Sequence, residues 1–331
     1  SDNIKDLSGS ILDFKTENKE FTATKVIERV KEPSLKKTVE QLFDSEINRL
    51  QGEGRLKYAS TYKELKASLL NFNMHLDIYF SEIDINWLKR YEAYLRTKGL
   101  ADNSIGVRFR TLRTLFNKAI SENIVKSDYY PFKAYKVSKL RKGTVKRAIT
   151  KADIELIINH KVESDYSQLA IDLFYFSYLS GGINFVDMAY LKADNIIDKR
   201  LIYNRKKTKK LIKLPMQEKA LHIIDKYKSD NCYLFPVLSD FHKTEVQKAN
   251  RIHKVLAKVN KCLKEIGTEL NLHIDITTYV ARHTYATVLK RSGVNTSIIS
   301  ESLGHSSEKI TQIYLDSFEN SQIDEAMKNL L

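Results

Sequence analysis

Residues 299–316 read ISESLGHSSEKITQIYLD, and in them Leu303-Gly304-His305 is followed nine residues on by Tyr314. Upstream, residues 277–289 read TTYVARHTYATVL and set Arg282 and His283 inside a helical pattern. Further upstream, residues 203–215 read YNRKKTKKLIKLP. Leu201–Asn204 and Leu211–Leu214 alternate as two short strands, the basic turn Arg205–Lys210 joins them, and Pro215 closes a β-hairpin. Elsewhere apolar residues recur mostly at helical spacing, and the chain holds only four prolines and eleven glycines. The expected fold is therefore mainly α with a small β-hairpin or sheet.

Towards the N-terminus, four helical patterns precede these segments. From Leu35 to about Gln51, Leu35, Val39, Leu42, Phe43, Ile47 and Leu50 share one face. Ser60 or Thr61 is expected to cap the second helix, and Asp84 the third, which carries Trp87, Leu88, Tyr91 and Leu95 and stops at Gly99. The fourth begins near Asn103 or Ser104. It turns Ile105, Phe109, Leu112 and Phe116 inward and Arg110 and Arg113 outward, with Arg108 flanking. An apolar back and a guanidinium front suit contact with a phosphate backbone, although a solvated face has the same pattern. Residues 131–149, PFKAYKVSKLRKGTVKRAI, show little helical pattern and include Arg141, Lys142, Lys146 and Arg147. They read as a basic linker able to cross a DNA groove. Thr150 with Asp153 then resembles a capping box. The expected organisation is a tail or module remnant at 1–35, a helical domain at 36–135, a linker at 136–147 and a second domain at 148–331. The last segment, from about Ser321, is expected to be an amphipathic helix.

A chain of 331 residues suffices for two domains with their own cores. Lys and Arg outnumber Asp and Glu by 55 to 41, a formal charge of +14, which favours a polyanionic partner. No run of 18 apolar residues predicts a membrane span. The opening Ser-Asp-Asn-Ile lacks a basic-then-apolar leader, which argues against secretion and for a cytoplasmic setting. Cys232 and Cys262 show no metal spacing and read as reduced thiols, so no metal site is expected.

Leu303-Gly304-His305 with Tyr314, Arg282 upstream and the basic hairpin together resemble the tyrosine recombinases over roughly residues 36–331. The likeness is strongest to integrases of Bacteroidetes-type conjugative and mobilisable elements. The resemblance implies a helical, SAM-like core-binding domain and a catalytic domain, forming a C-shaped clamp on duplex DNA recombination sites. It implies Tyr314 as the nucleophile of a covalent 3′-phosphotyrosyl intermediate, with Arg282 and His305 binding the phosphate. It implies Lys207 as the acid for the leaving 5′-oxygen, with Lys206, Lys209 and Lys210 as alternatives. The residue types suit the reaction. Attack on a phosphodiester builds charge on its equatorial oxygens, and fixed cationic donors stabilise that charge, the guanidinium fork best of all. No cofactor is implied. Similar enzymes pair into dimers and tetramers on DNA and exchange a C-terminal helix between neighbours, and accessory DNA-bending proteins would be compatible with that assembly.

Two positions depart from the family pattern. The stretch Ser180-Gly181-Gly182-Ile183-Asn184-Phe185-Val186-Asp187 matches a turn that normally holds an arginine, and the arginine's place falls on Asn184. Tyr279 stands where a histidine is usual, three residues before Arg282. Both are counted as site candidates, and Asp187 matches a supporting acid. The departures keep a second expectation open, a catalytically impaired DNA-binding member of the fold acting as a regulator. A relaxing enzyme of topoisomerase type is a third.

Overall fold

The computed structural model describes residues 37–143 and 147–315, apart from the side chains of Ile313 and Tyr314. These residues form two compact units that divide at residues 144/145. Residues 1–35, Lys146 and the helix expected from Ser321 lie outside the described residues. No helix among them is long and apolar enough to cross a membrane.

The first unit is helical: α1 (Val39–Gly52), α2 (Leu56–Asn73), α3 (Ile85–Thr97) and α4 (Asp102–Ser121). α1 opens on a reciprocal cap. The Thr38 hydroxyl accepts the Gln41 N–H, and the Gln41 side chain accepts the Thr38 N–H at 3.0 Å. α3 opens where the Asp84 carboxylate accepts the Trp87 N–H at 2.7 Å. α2 differs from the expected start. It begins at Leu56 behind Arg55, which offers no side-chain cap, while Thr61 sits inside the helix and bonds back to the Lys57 carbonyl. α4 buries Ile105, Phe109, Leu112 and Phe116 completely, the face read from the sequence. Phe109 stacks on Tyr135 with ring centroids 4.9 Å apart.

That stacking corrects the linker. Residues 131–133 and 137–140 form 3₁₀ turns, and Phe132, Tyr135, Val137 and Leu140 are buried in the core of the first unit. The first part of the expected strap at 136–147 is thus packed structure. Its apolar residues follow no 3.6-residue period because short 3₁₀ turns have none.

The second unit holds α5 (Lys151–Asn159), α6 (Asp165–Leu179), α7 (Phe185–Ala189), β1 (Ile196–Ile197), β2 (Arg200–Asn204), β3 (Leu211–Pro215), α8 (Glu218–Lys226), α9 (Glu245–Glu269), α10 (Thr278–Arg291), α11 (Thr296–Ser302) and α12 (Glu308–Tyr314). Thr150 and Asp153 form the expected capping box of α5. α6 is buried around most of its circumference and packs against α9 and α10 as the unit's central helix. The expected hairpin is present and gains a third strand: the sheet is antiparallel in the order β1-β2-β3. Its register sets Leu201 opposite Leu214 and Tyr203 opposite Ile212, which turns Leu201, Tyr203 and Ile212 into the core. The loop beyond β2 is thereby aimed at the turn between α11 and α12.

Truncating the aromatic stack tests this packing. Phe109→Ala should lower stability by about 3–5 kcal/mol in denaturant titration, the cost of a large buried cavity. A loss under about 1 kcal/mol would contradict a close-packed first unit.

Candidate active site

Arg282 lies one turn into α10 and is 1% exposed, an unusual setting for a guanidinium. Its Nη1 donates to the Gly182 carbonyl at 2.6 Å, and its Nη2 donates to the Leu303 carbonyl at 2.6 Å. Nη2 also lies 3.0 Å from Nε2 of His305. Arg282 thus ties the turn after α6 to the turn after α11. Gly182 permits this approach. It has φ +64°, and a Cβ there would stand 2.9 Å from the Arg282 Cα.

The Leu303-Gly304-His305 turn closes with Gly304 at φ +63° and His305 N–H bonded to the Ser300 carbonyl. His305 is 5% exposed. A guanidinium can only donate, so Nε2 of His305 accepts from Arg282. The proton then sits on Nδ1, which donates to the Thr311 hydroxyl at 2.9 Å. Burial pushes the His305 imidazole down to about 3, and the charges of Arg282, Arg205, Lys207 and Lys210 push the same way. The ring is neutral. The sequence suggests a cationic donor here, whereas this arrangement holds an uncharged ring whose Nε2 faces a guanidinium.

The basic turn meets the same place. The Lys206 N–H donates to the Asp187 carboxylate at 2.8 Å. Asp187 is 4% exposed, and burial pushes its carboxyl up against the opposing pull of that N–H, the Arg205 charge and the nearby Asn184 side chain. Asp187 therefore fixes the base of the turn to α7. The Lys206 ammonium lies 3.4 Å from the centroid of the Tyr190 ring, whereas Lys207 is exposed at the turn. Asn184 is half-buried at the N-terminus of α7. Tyr279 is 43% exposed, edge-on to His283 with centroids 4.9 Å apart. α12 ends at Tyr314, whose side chain lies outside the described residues.

Sequence reasoning passed over Arg205. It follows β2 directly and is 4% exposed, while residues 206–210 are exposed. Its Nη1 donates to the Gly304 carbonyl at 2.7 Å, and the Thr208 hydroxyl reaches the same oxygen at 3.3 Å. The available signal was position: Arg205 is the one arginine of a turn otherwise basic through lysine, at the inward step of the strand alternation.

The other basic candidates belong to the first unit or to the junction. Arg110 and Arg113 are exposed on α4. Arg108 is half-buried, and its charge lies near enough to the Tyr91 phenol to lower its pKa against burial. Arg141, Lys142 and Arg147 are exposed, and the Lys142 backbone is held to the Asn103 side chain at 2.9 and 3.1 Å. No cluster of metal-ligating side chains is found among the described residues.

Comparison with known proteins finds a family match for each of the two units. Residues 147–321 match the model of the Phage integrase family, and residues 38–137 match the Phage integrase SAM-like domain. A tyrosine recombinase of Agathobacter rectalis is 32% identical over 137 residues, which span 41% of this chain and 44% of the relative. A tyrosine recombinase XerC of Leptospira interrogans is 27% identical over 244 residues, 72% of this chain and 76% of the relative. The Tn1549 transposon integrase, solved in complex with a circular intermediate DNA, is similar in fold. Its TM-score is 0.64 at 16% identity, covering 89% of this chain and 99% of that one.

The neutral His305 has a consequence in acid. Its folded pKa lies near 3 and its ordinary value at 6.5, so below about pH 6.5 the unfolded chain takes up a proton that the folded chain refuses. Stability should fall as pH drops through that window. His305→Gln should flatten the fall by up to about 1.4 kcal/mol per pH unit in urea titrations. Parallel curves for the two proteins would contradict a neutral, buried ring.

Proposed function

Because this chain belongs to the phage integrase family, we propose that it cuts and rejoins duplex DNA at specific sites through a covalent bond to Tyr314. The observation that carries this reading is the meeting of Arg282 and His305 at the turn that leads into α12, the helix ending at Tyr314.

In the proposed reaction a DNA phosphate enters beside that turn. Arg282 donates to two of its oxygens, exchanging part of its carbonyl bonding for a charged acceptor. The phosphate's negative charge also offsets the positive field around His305 and returns donor capacity to that ring. The Tyr314 phenol oxygen attacks phosphorus, its proton passing to solvent. The bond from phosphorus to the 5′-oxygen breaks, and Lys207 at the exposed turn gives that oxygen a proton. Asp187 holds the turn in place through the Lys206 N–H. Asn184 supports Asp187, and Tyr279 offers a phenol where the family pattern has an imidazole. The 3′-phosphotyrosyl bond keeps the energy of the broken linkage, so religation needs no nucleotide.

The substrate is proposed to be the recombination sites of a mobile element, integrated or excised by a tetramer on DNA. The charge of +14 and the exposed Arg110, Arg113, Arg141, Lys142 and Arg147 support a phosphate-rich partner. The half-buried Arg108 supports it less.

A nicked suicide duplex cut from the element's junction tests the chemistry. The wild-type chain should accumulate a covalent complex on denaturing gels, and Tyr314→Phe should bind the same DNA with none. DNA shifted by the wild type without trapping would favour a regulator instead. Neutralising Arg141 and Lys142 together should weaken binding to all sequences and lower the slope of log affinity against log salt by about 2. An unchanged slope would remove both from the DNA interface.

A further inference from the structure

We infer that Arg205 is a second phosphate ligand of the cleavage site and does the work that the family pattern gives to position 184. This rests on the proposed function and goes beyond it, because nothing in the sequence motif assigns Arg205.

Arg205 and Arg282 reach one turn from two elements. Arg282, on α10, donates to the Leu303 carbonyl, and Arg205, at the end of β2, donates to the next carbonyl, that of Gly304. Gly304 makes room for the stem: a Cβ there would stand 3.1 Å from Cδ of Arg205. The Nε of Arg205 is buried without a hydrogen-bond partner among the described residues. An N–H buried unpaired is costly, and more so on a charged group. Two guanidinium groups buried at adjacent carbonyls repel one another, and Asp187 is an acid that feels both. A surplus of buried positive charge with donor capacity to spare is what an arriving anion would compensate.

Asn184 is poorly suited to the role. It carries no charge, and beside Asp187 it helps hold that carboxyl down. Asp187 in turn accepts the Lys206 N–H, next in the chain to Arg205. The segment that would have held an arginine instead anchors the turn that does hold one. The guanidinium has moved from the turn after α6 to the base of the hairpin while remaining at the same pocket.

Arg205 would bind a non-bridging oxygen of the scissile phosphate and stabilise the charge that grows there as the Tyr314 bond forms and the 5′-oxygen leaves. A staple that merely held the hairpin to the Gly304 turn would not sense that charge. The test uses the full chain and the suicide duplex in two forms, with an ordinary phosphate or a methylphosphonate at the cleavage position. The second lacks the negative charge. Arg205→Ala should cleave the ordinary substrate about 10²–10³-fold more slowly than wild type, with the deficit shrinking to under about tenfold on the methylphosphonate. Arg205→Gln, which keeps a donor for Gly304, should show the same pattern if the alanine variant folds poorly. A deficit of equal size on both substrates, or cleavage of the phosphate within about threefold of wild type, would overturn the assignment. Tyr314→Phe run alongside separates the two claims. If it still traps DNA, the proposed function itself fails; if it abolishes trapping while Arg205 proves indifferent, only this inference fails.

Discussion

Two arginine side chains holding two consecutive carbonyl oxygens, Leu303 and Gly304, form the interaction on which the second unit's pocket depends. Each guanidinium comes from a different part of the chain, one from α10 and one from the end of β2. Their shared target is the short turn between α11 and α12. Glycine at 182 and 304 suits left-handed backbone, and a Cβ would crowd the Arg282 backbone at 182 and Ile212 and the Arg205 stem at 304. The hairpin register, the left-handed turns and the burial of α6 all serve to bring these groups to one place.

The same interaction sets the electrostatics. Among the described residues, carbonyl dipoles and the Asp187 carboxyl act against the charge of two buried guanidinium groups. The residual field, added to burial, keeps His305 uncharged and turns its Nε2 into an acceptor. Such a site holds its guanidinium groups in place before any ligand arrives, and Arg282 exchanges part of its carbonyl bonding when negative charge develops there. Under the proposed chemistry the site's state changes on binding, because a phosphate offsets part of the positive field that His305 feels.

Much of the fold was legible from periodicity and capping. The inward face of α4, the Asp84 cap, the Thr150–Asp153 box and the alternating strands all express short-range rules that leave a pattern in the residues. What stayed hidden lacks such a pattern. α7 has five residues and β1 two, too few for any period. α2 begins without a side-chain cap, so its start left no mark. The 3₁₀ turns of residues 131–140 pack aromatic residues whose spacing looks irregular. At the site, the residue types of Arg282 and His305 were readable, but the neutrality of the ring was not, since it arises from burial and from neighbours distant in sequence. Arg205 was masked by the lysines beside it, because a run of basic residues reads as solvated until the strand register shows which one points inward.

The central claim is that a phenol oxygen at the end of α12 becomes bonded to DNA phosphorus. Mass spectrometry of the trapped complex tests this most directly. After nuclease and trypsin digestion, the peptide Ile310–Lys328, in which Tyr314 is the only tyrosine, should carry a nucleotide linked through its 3′-phosphate to that residue. A nucleotide on any other residue, or a trapped complex in which this peptide is recovered wholly unmodified, would contradict the account.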